Sequence, residues 1–135
     1  MLSRRAALVF GVMDVLTALL VALAVFQGLP VRWAPVDVVA GLLVAGKLAS
    51  GVALLARAPT AARLATASAG FALAVGLVLT TALALTASWL AGVYGPVGQG
   101  GAIVMTLVVA LAVPYLIALP ALQLVWLGAQ PSSAK

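Results

Sequence analysis

Residues 6–26, AALVFGVMDVLTALLVALAVF, decide the fold class. At about 1.5 Å rise per residue, a helix of this length crosses a bilayer core of roughly 30 Å. Asp14 and Thr17 are the polar exceptions within it. Comparable apolar runs follow over residues 36–56, 64–90 and 102–127. The chain has 135 residues, of which 66% are hydrophobic and 7% charged. Seven basic and two acidic side chains are too few to cover a soluble domain of this size. The expected solvent is therefore lipid. The expected fold is all-α, a single domain over residues 1–135 built as a bundle of four transmembrane helices.

The segments between the runs carry breakers and charges. Met1–Arg5 is a short basic leader. A secretory signal is the competing reading of the first run, because Ala22-Leu23-Ala24 resembles a cleavage site, but Asp14 interrupts the apolar stretch. Residues 27–35 form a turn with Gly28, Pro30 and Pro35 as breakers, and Trp33 suits the headgroup level. Residues 57–63 make a tight connector containing Pro59. The long third run needs tilt or an extension beyond the membrane. Residues 128–135 form a polar tail.

In the fourth run, Pro114 and Pro120 cannot donate to the carbonyls of Ala110 and Leu116, so an irregular helix is expected there. The bland outcome is a passive kink. The functional one is a hinge or polar lining, with Tyr115 and Gln123 nearby. A re-entrant or interfacial fourth segment is the alternative topology.

Orientation follows from the basic residues. Arg4, Arg5, Arg57, Arg63 and Lys135 fall on one side, against Arg32 alone on the other. Lys47 lies inside a run and does not count. Both termini are expected in the cytoplasm, and the expected location is a bacterial cytoplasmic membrane.

Composition narrows the chemistry. Without cysteine or histidine there is no thiolate ligand, no imidazole ligand and no imidazole base. Asp14 and Asp37 are too few for a carboxylate metal cage. No catalytic constellation, metal site or cofactor is expected. The formal charge of +5 is spread singly over segment ends, which fits topology better than nucleic-acid binding. Residues 91–101, AGVYGPVGQGG, form an uncharged glycine-rich segment. Gly95, Pro96, Gly98, Gly100 and Gly101 there match neither a phosphate-binding loop nor a dinucleotide fingerprint. The expected structure is a non-cytoplasmic loop with Trp89 and Tyr94 at the interface.

In lipid, helices associate through close packing and interhelical hydrogen bonds. Gly41, Ala45, Ala49 and Ala53 form one small-residue row in the second run, with Gly46 and Ser50 in another. Thr66, Gly70, Ala74, Leu77, Thr81, Ala84 and Ser88 form a third row. Each is expected to face a neighbouring helix. Asp14 and Lys47 lie at matched depth, roughly 13–15 Å from the nearest cytoplasmic arginines. They are expected to pair between the first two helices. Such a pair is a registry pin, a proton- or ion-coupling site, or a contact with another subunit.

Two partial resemblances exist. Asp14 in the first of four short spans is similar to the acidic residue of small multidrug exporters, whose other motifs are missing and to which Lys47 is foreign. Residues 50–65, SGVALLARAPTAARLA, resemble the second-span exit of DoxX-like membrane proteins over a small part of the chain. Neither transfers functional residues. The leading expectation is a non-catalytic membrane subunit that packs against other membrane proteins or copies of itself and contributes apolar surface, helix registry and a lipid- or quinone-sized crevice. The alternatives are a small transporter or channel centred on Asp14 and Lys47, and a hydrophobic-pocket subunit of a membrane enzyme.

Overall fold

The computed structural model describes residues 3–129; Lys135 and the rest of the tail beyond Ala129 lie outside them. The described chain consists of helices α1 (Arg4–Phe26), α2 (Ala34–Ala56), α3 (Ala61–Val93) and α4 (Gly95–Ala112), followed by a π-helical segment (Val113–Ala118) and α5 (Leu119–Gly128). Taking Gly95–Gly128 as one, four helices are long and apolar enough to cross a membrane. No strand occurs among the described residues. Contacts group the chain into two compact units: residues up to Phe71 with those from Gln123 onward, and Ala72–Leu122.

In the first unit, α1 and α2 are antiparallel and approach closely at two glycines. A Cβ on Gly51 would stand 2.8 Å from the Gly11 carbonyl oxygen and 2.8 Å from Val15 Cγ2. A Cβ on Gly11 would stand 2.9 Å from Leu55 Cγ. Only glycine at both positions allows the backbones this near. The helix ends follow local chemistry. Ser3 caps α1 by accepting from the Ala6 amide at 3.4 Å. Pro35 sits in the first turn of α2, where its missing donor costs nothing, and Asp37 puts a negative charge at that helix's positive end. Arg32 pairs with Asp37 at 3.0 Å and lies 5.0 Å over the Phe26 ring. At the far end of α2, Arg57 adopts the left-handed conformation at φ 52°. Its amide reaches Leu54 O and the Ala58 amide reaches Ala53 O at 2.9 Å, which is the Schellman closure. Below it, Ala53, Leu54, Ala61 and Ala65 form a buried cluster backed by Phe10, Ala58, Trp126 and Leu127.

In the second unit, Gly76 of α3 lies against the Leu116 carbonyl, closer than any Cβ would permit. Pro120 removes the α-helical donor to that carbonyl, and a glycine at position 76 leaves room for it. The prolines thus mark the irregularity expected of them, in a specific form. Leu119 donates to Pro114 O, one residue further back than an α-helix allows, so the helix widens instead of breaking.

Two sequence expectations are corrected. The segment over residues 91–101 is not a loop: α3 runs to Val93, Tyr94 alone separates it from α4, and Gly95 turns the chain at φ +54°. Pro96 starts α4, and at Gly98 a Cβ would strike the Leu90 carbonyl. The glycines serve a sharp reversal and close packing of successive turns. Trp89 and Tyr94 meet there edge to face at 5.8 Å.

The small-residue rows also differ. Ala45 and Ala49 are exposed and Gly41 has no neighbour within 4 Å, so Ala53 alone of that row is buried. Along α3 the row from Thr66 to Ser88 is exposed apart from half-buried Gly70. The buried row is instead Ala61, Ala65, Ala69, Ala72, Gly76 and Thr80. An alanine-rich helix offers several such rows, and small size alone does not choose between them.

The two kinds of glycine are separable by substitution. Gly51→Ala should cost about 1–3 kcal/mol through overpacking. Gly41→Ala should be neutral or stabilising by up to about 1 kcal/mol, from helix propensity. Unfolding in mixed micelles of rising SDS content measures both.

Candidate functional site

The Gly11–Gly51 crossing places polar side chains one turn further along each helix. Asp14 follows Gly11 by three residues, and Lys47 and Ser50 precede or adjoin Gly51, so all project from the packed faces. Lys47 Nζ donates to Asp14 Oδ1 at 2.7 Å. Ser50 Oγ donates to Asp14 Oδ2 at 2.5 Å. So short a bond needs near contact of the two backbones, which the glycines provide.

A fourth member comes from α5. Gln123 Nε2 donates to Asp14 Oδ2 at 3.0 Å, and its Oε1 accepts from Lys47 Nζ at 3.3 Å. The amide therefore bridges both charges with its donor and its acceptor. One turn on, Trp126 stacks on Phe10 with ring centroids 4.9 Å apart, and Phe10 is one turn before Asp14. The α5 segment is thus fixed to α1 at two successive turns, one polar and one aromatic.

All four side chains have 0% exposure. Thr17, equally buried, donates to its own helix at Met13 O, 2.8 Å away, and stays outside the network. A charge at bilayer depth costs about 2.5–3.5 kcal/mol on insertion scales. Here the charges cancel, the carboxylate accepts three bonds and the ammonium donates two. A low-dielectric setting strengthens each bond of a satisfied network and penalises any that is left unmade. The arrangement holds three helical segments in one register.

The other sequence-selected residues lie apart from this cluster. Pro114 and Pro120 belong to the π-helical segment, and Gly95, Pro96, Gly98, Gly100 and Gly101 to the start of α4. Asp37 is at the first turn of α2 with Arg32, so the two carboxylates do not share a site. No group of three metal-ligating side chains exists among the described residues. Gln123 is the member that sequence reasoning left unattached. Its signal was its isolation, as the one polar side chain in LPALQLVWLG.

Removing one charge should be worse than removing both. Asp14→Asn or Lys47→Met alone is expected to lose about 3–5 kcal/mol, and the double substitution less than the two losses together. Gln123→Leu should lose about 1–3 kcal/mol by stripping a partner from each charge. SDS unfolding of the four variants measures the cycle; strictly additive losses would sink the network. Comparison with known proteins adds nothing to this geometry: no family model matches the sequence, and no curated protein or solved structure is similar to it.

Proposed function

We propose that this chain is a small non-catalytic integral membrane protein that works as a subunit of a larger or homo-oligomeric membrane complex. It would lie with both termini in the cytoplasm, in a bacterial cytoplasmic membrane. The observation that carries this reading is the exposed small-residue face of α3. Ala74, Thr81, Ala84 and Ser88 lie along one helix and are exposed. Faces of this kind let a second helix approach closely in lipid, where apolar bulk alone gives no drive to associate.

A proton- or ion-coupled transporter centred on Asp14 and Lys47 has less support. Both groups are fully buried and bonded to each other, to Ser50 and to Gln123. A coupling carboxylate needs access to water from at least one side. The same closure favours a registry pin over catalysis.

The chain contains no cysteine, so single cysteines can be introduced on a clean background. Ala84→Cys and Ala74→Cys, oxidised in native membranes, should give disulfide-linked chains. Ala72→Cys, on the buried row, should give none. Purification in mild detergent should yield a particle larger than one 13.5 kDa chain. A strictly monomeric species without cross-links from the exposed row would overturn the subunit reading.

A further inference from the structure

The network accounts for Asp14, and Arg32 accounts for Asp37. This leaves Arg4, Arg5, Arg57 and Arg63, all exposed and none in an ion pair among the described residues. The antiparallel register brings them to one level. Gly11 faces Gly51 and Leu55, and Asp14 faces Lys47 and Ser50. Extended toward the N-terminus, that register sets Arg4 and Arg5 beside the end of α2, where Arg57 stands on its left-handed cap. Arg63 lies in the first turn of α3, between Ala61 and Ala65, which pack on Ala53 and Leu54. Four arginines therefore share one end of the first unit, beside an apolar cluster, and no side-chain carboxylate among the described residues neutralises them.

We propose that this arginine rim binds the headgroups of anionic phospholipids. The chemistry is that of a phosphodiester facing guanidinium: planar paired donors match phosphate oxygens, and the side-chain stems lie along apolar surface. At the edge of a bilayer, the anion brought to this height is a lipid phosphate, and juxtamembrane basic clusters hold anionic lipid at about 1 kcal/mol per residue. Arg57 is held especially firmly, because its backbone is fixed by the Schellman bonds. Orientation and oligomeric state do not enter the inference. It rests only on the helices lying in a membrane.

Trp126 is placed to report on it. Phe10, which it stacks upon, is five residues beyond Arg5, roughly 8 Å along α1. Trp33 caps the opposite end of α2, so the test uses the full chain carrying Trp33→Phe and Trp89→Phe. Trp126 fluorescence is followed in bilayers containing brominated phosphatidylglycerol or brominated phosphatidylcholine. The expected result is stronger quenching by the anionic lipid, with an apparent association constant about fivefold higher for each arginine engaged at low ionic strength, collapsing at about 1 M salt. Arg57→Gln with Arg63→Gln should lower the preference, and the two lysine substitutions, which keep the charge but lose the paired donors, should restore only part of it. Equal quenching by both lipids, or a preference that ignores salt, would overturn the proposal. The salt comparison needs no variant, so it decides the matter even if the glutamine form fails to fold. A monomer in detergent would remove the subunit reading and leave this one standing; equal quenching would do the reverse.

Discussion

A carboxylate and an ammonium sit midway along apolar helices, where neither is tolerated alone. Much of the first unit follows from keeping them together. The helices must be antiparallel and in one register, so that Asp14 meets Lys47 at 2.7 Å. Their backbones must nearly touch, so Gly11 and Gly51 carry no side chain. Two charges still leave lone pairs and protons unfilled, and Ser50 and Gln123 add two donors to the carboxylate and one acceptor for the ammonium. A hydrocarbon replacement of the pair could be as stable, because desolvation offsets much of the Coulomb attraction. What the pair adds is intolerance of any other register, since a shift of one residue strands both charges.

The same unit sorts its polar groups by role. Neutralised charge lies inside, the Thr17 and Thr66 hydroxyls bond to their own helices, and unpaired positive charge stands at one end. The flanks between are apolar, with side chains such as Val12, Leu42 and Val52 exposed. This is the distribution that lipid demands of a protein with few ionisable groups. It also separates two surfaces that composition alone confuses. The unpaired positive charge belongs to one end of the first unit, and the exposed small-residue face belongs to α3.

The four long apolar helices were legible because length and apolar content are one-dimensional quantities. The meeting of Asp14 with Lys47 was approachable by depth arithmetic, since both count from arginines at the same end. Gln123 defeats that arithmetic. It lies five residues before the end of α5 at Gly128, about 8 Å deep, whereas Asp14 lies about 15 Å from the start of α1. Long side chains on Lys47 and Gln123 help bridge such a difference, and their reach is not visible in residue counts. The glycine-rich segment misled for a related reason. Glycine is the residue of both loops and close contacts, and only the position of the Leu90 carbonyl distinguishes the two at Gly98. Packed and exposed alanine rows are alike in sequence because the difference lies in the neighbour.

The spacing of the network along the chain has a consequence in time. Asp14 and Lys47 leave the ribosome close together, 33 residues apart, and can enter the bilayer as one neutral hairpin. Gln123 follows Lys47 by 76 residues. At roughly 5–20 residues per second, that is about 4–15 s of synthesis. For that interval the hairpin holds its ion pair with one partner still unmade, and the carboxylate has two donors instead of three. The order of synthesis thus supplies both members of the ion pair well before the amide that bridges them.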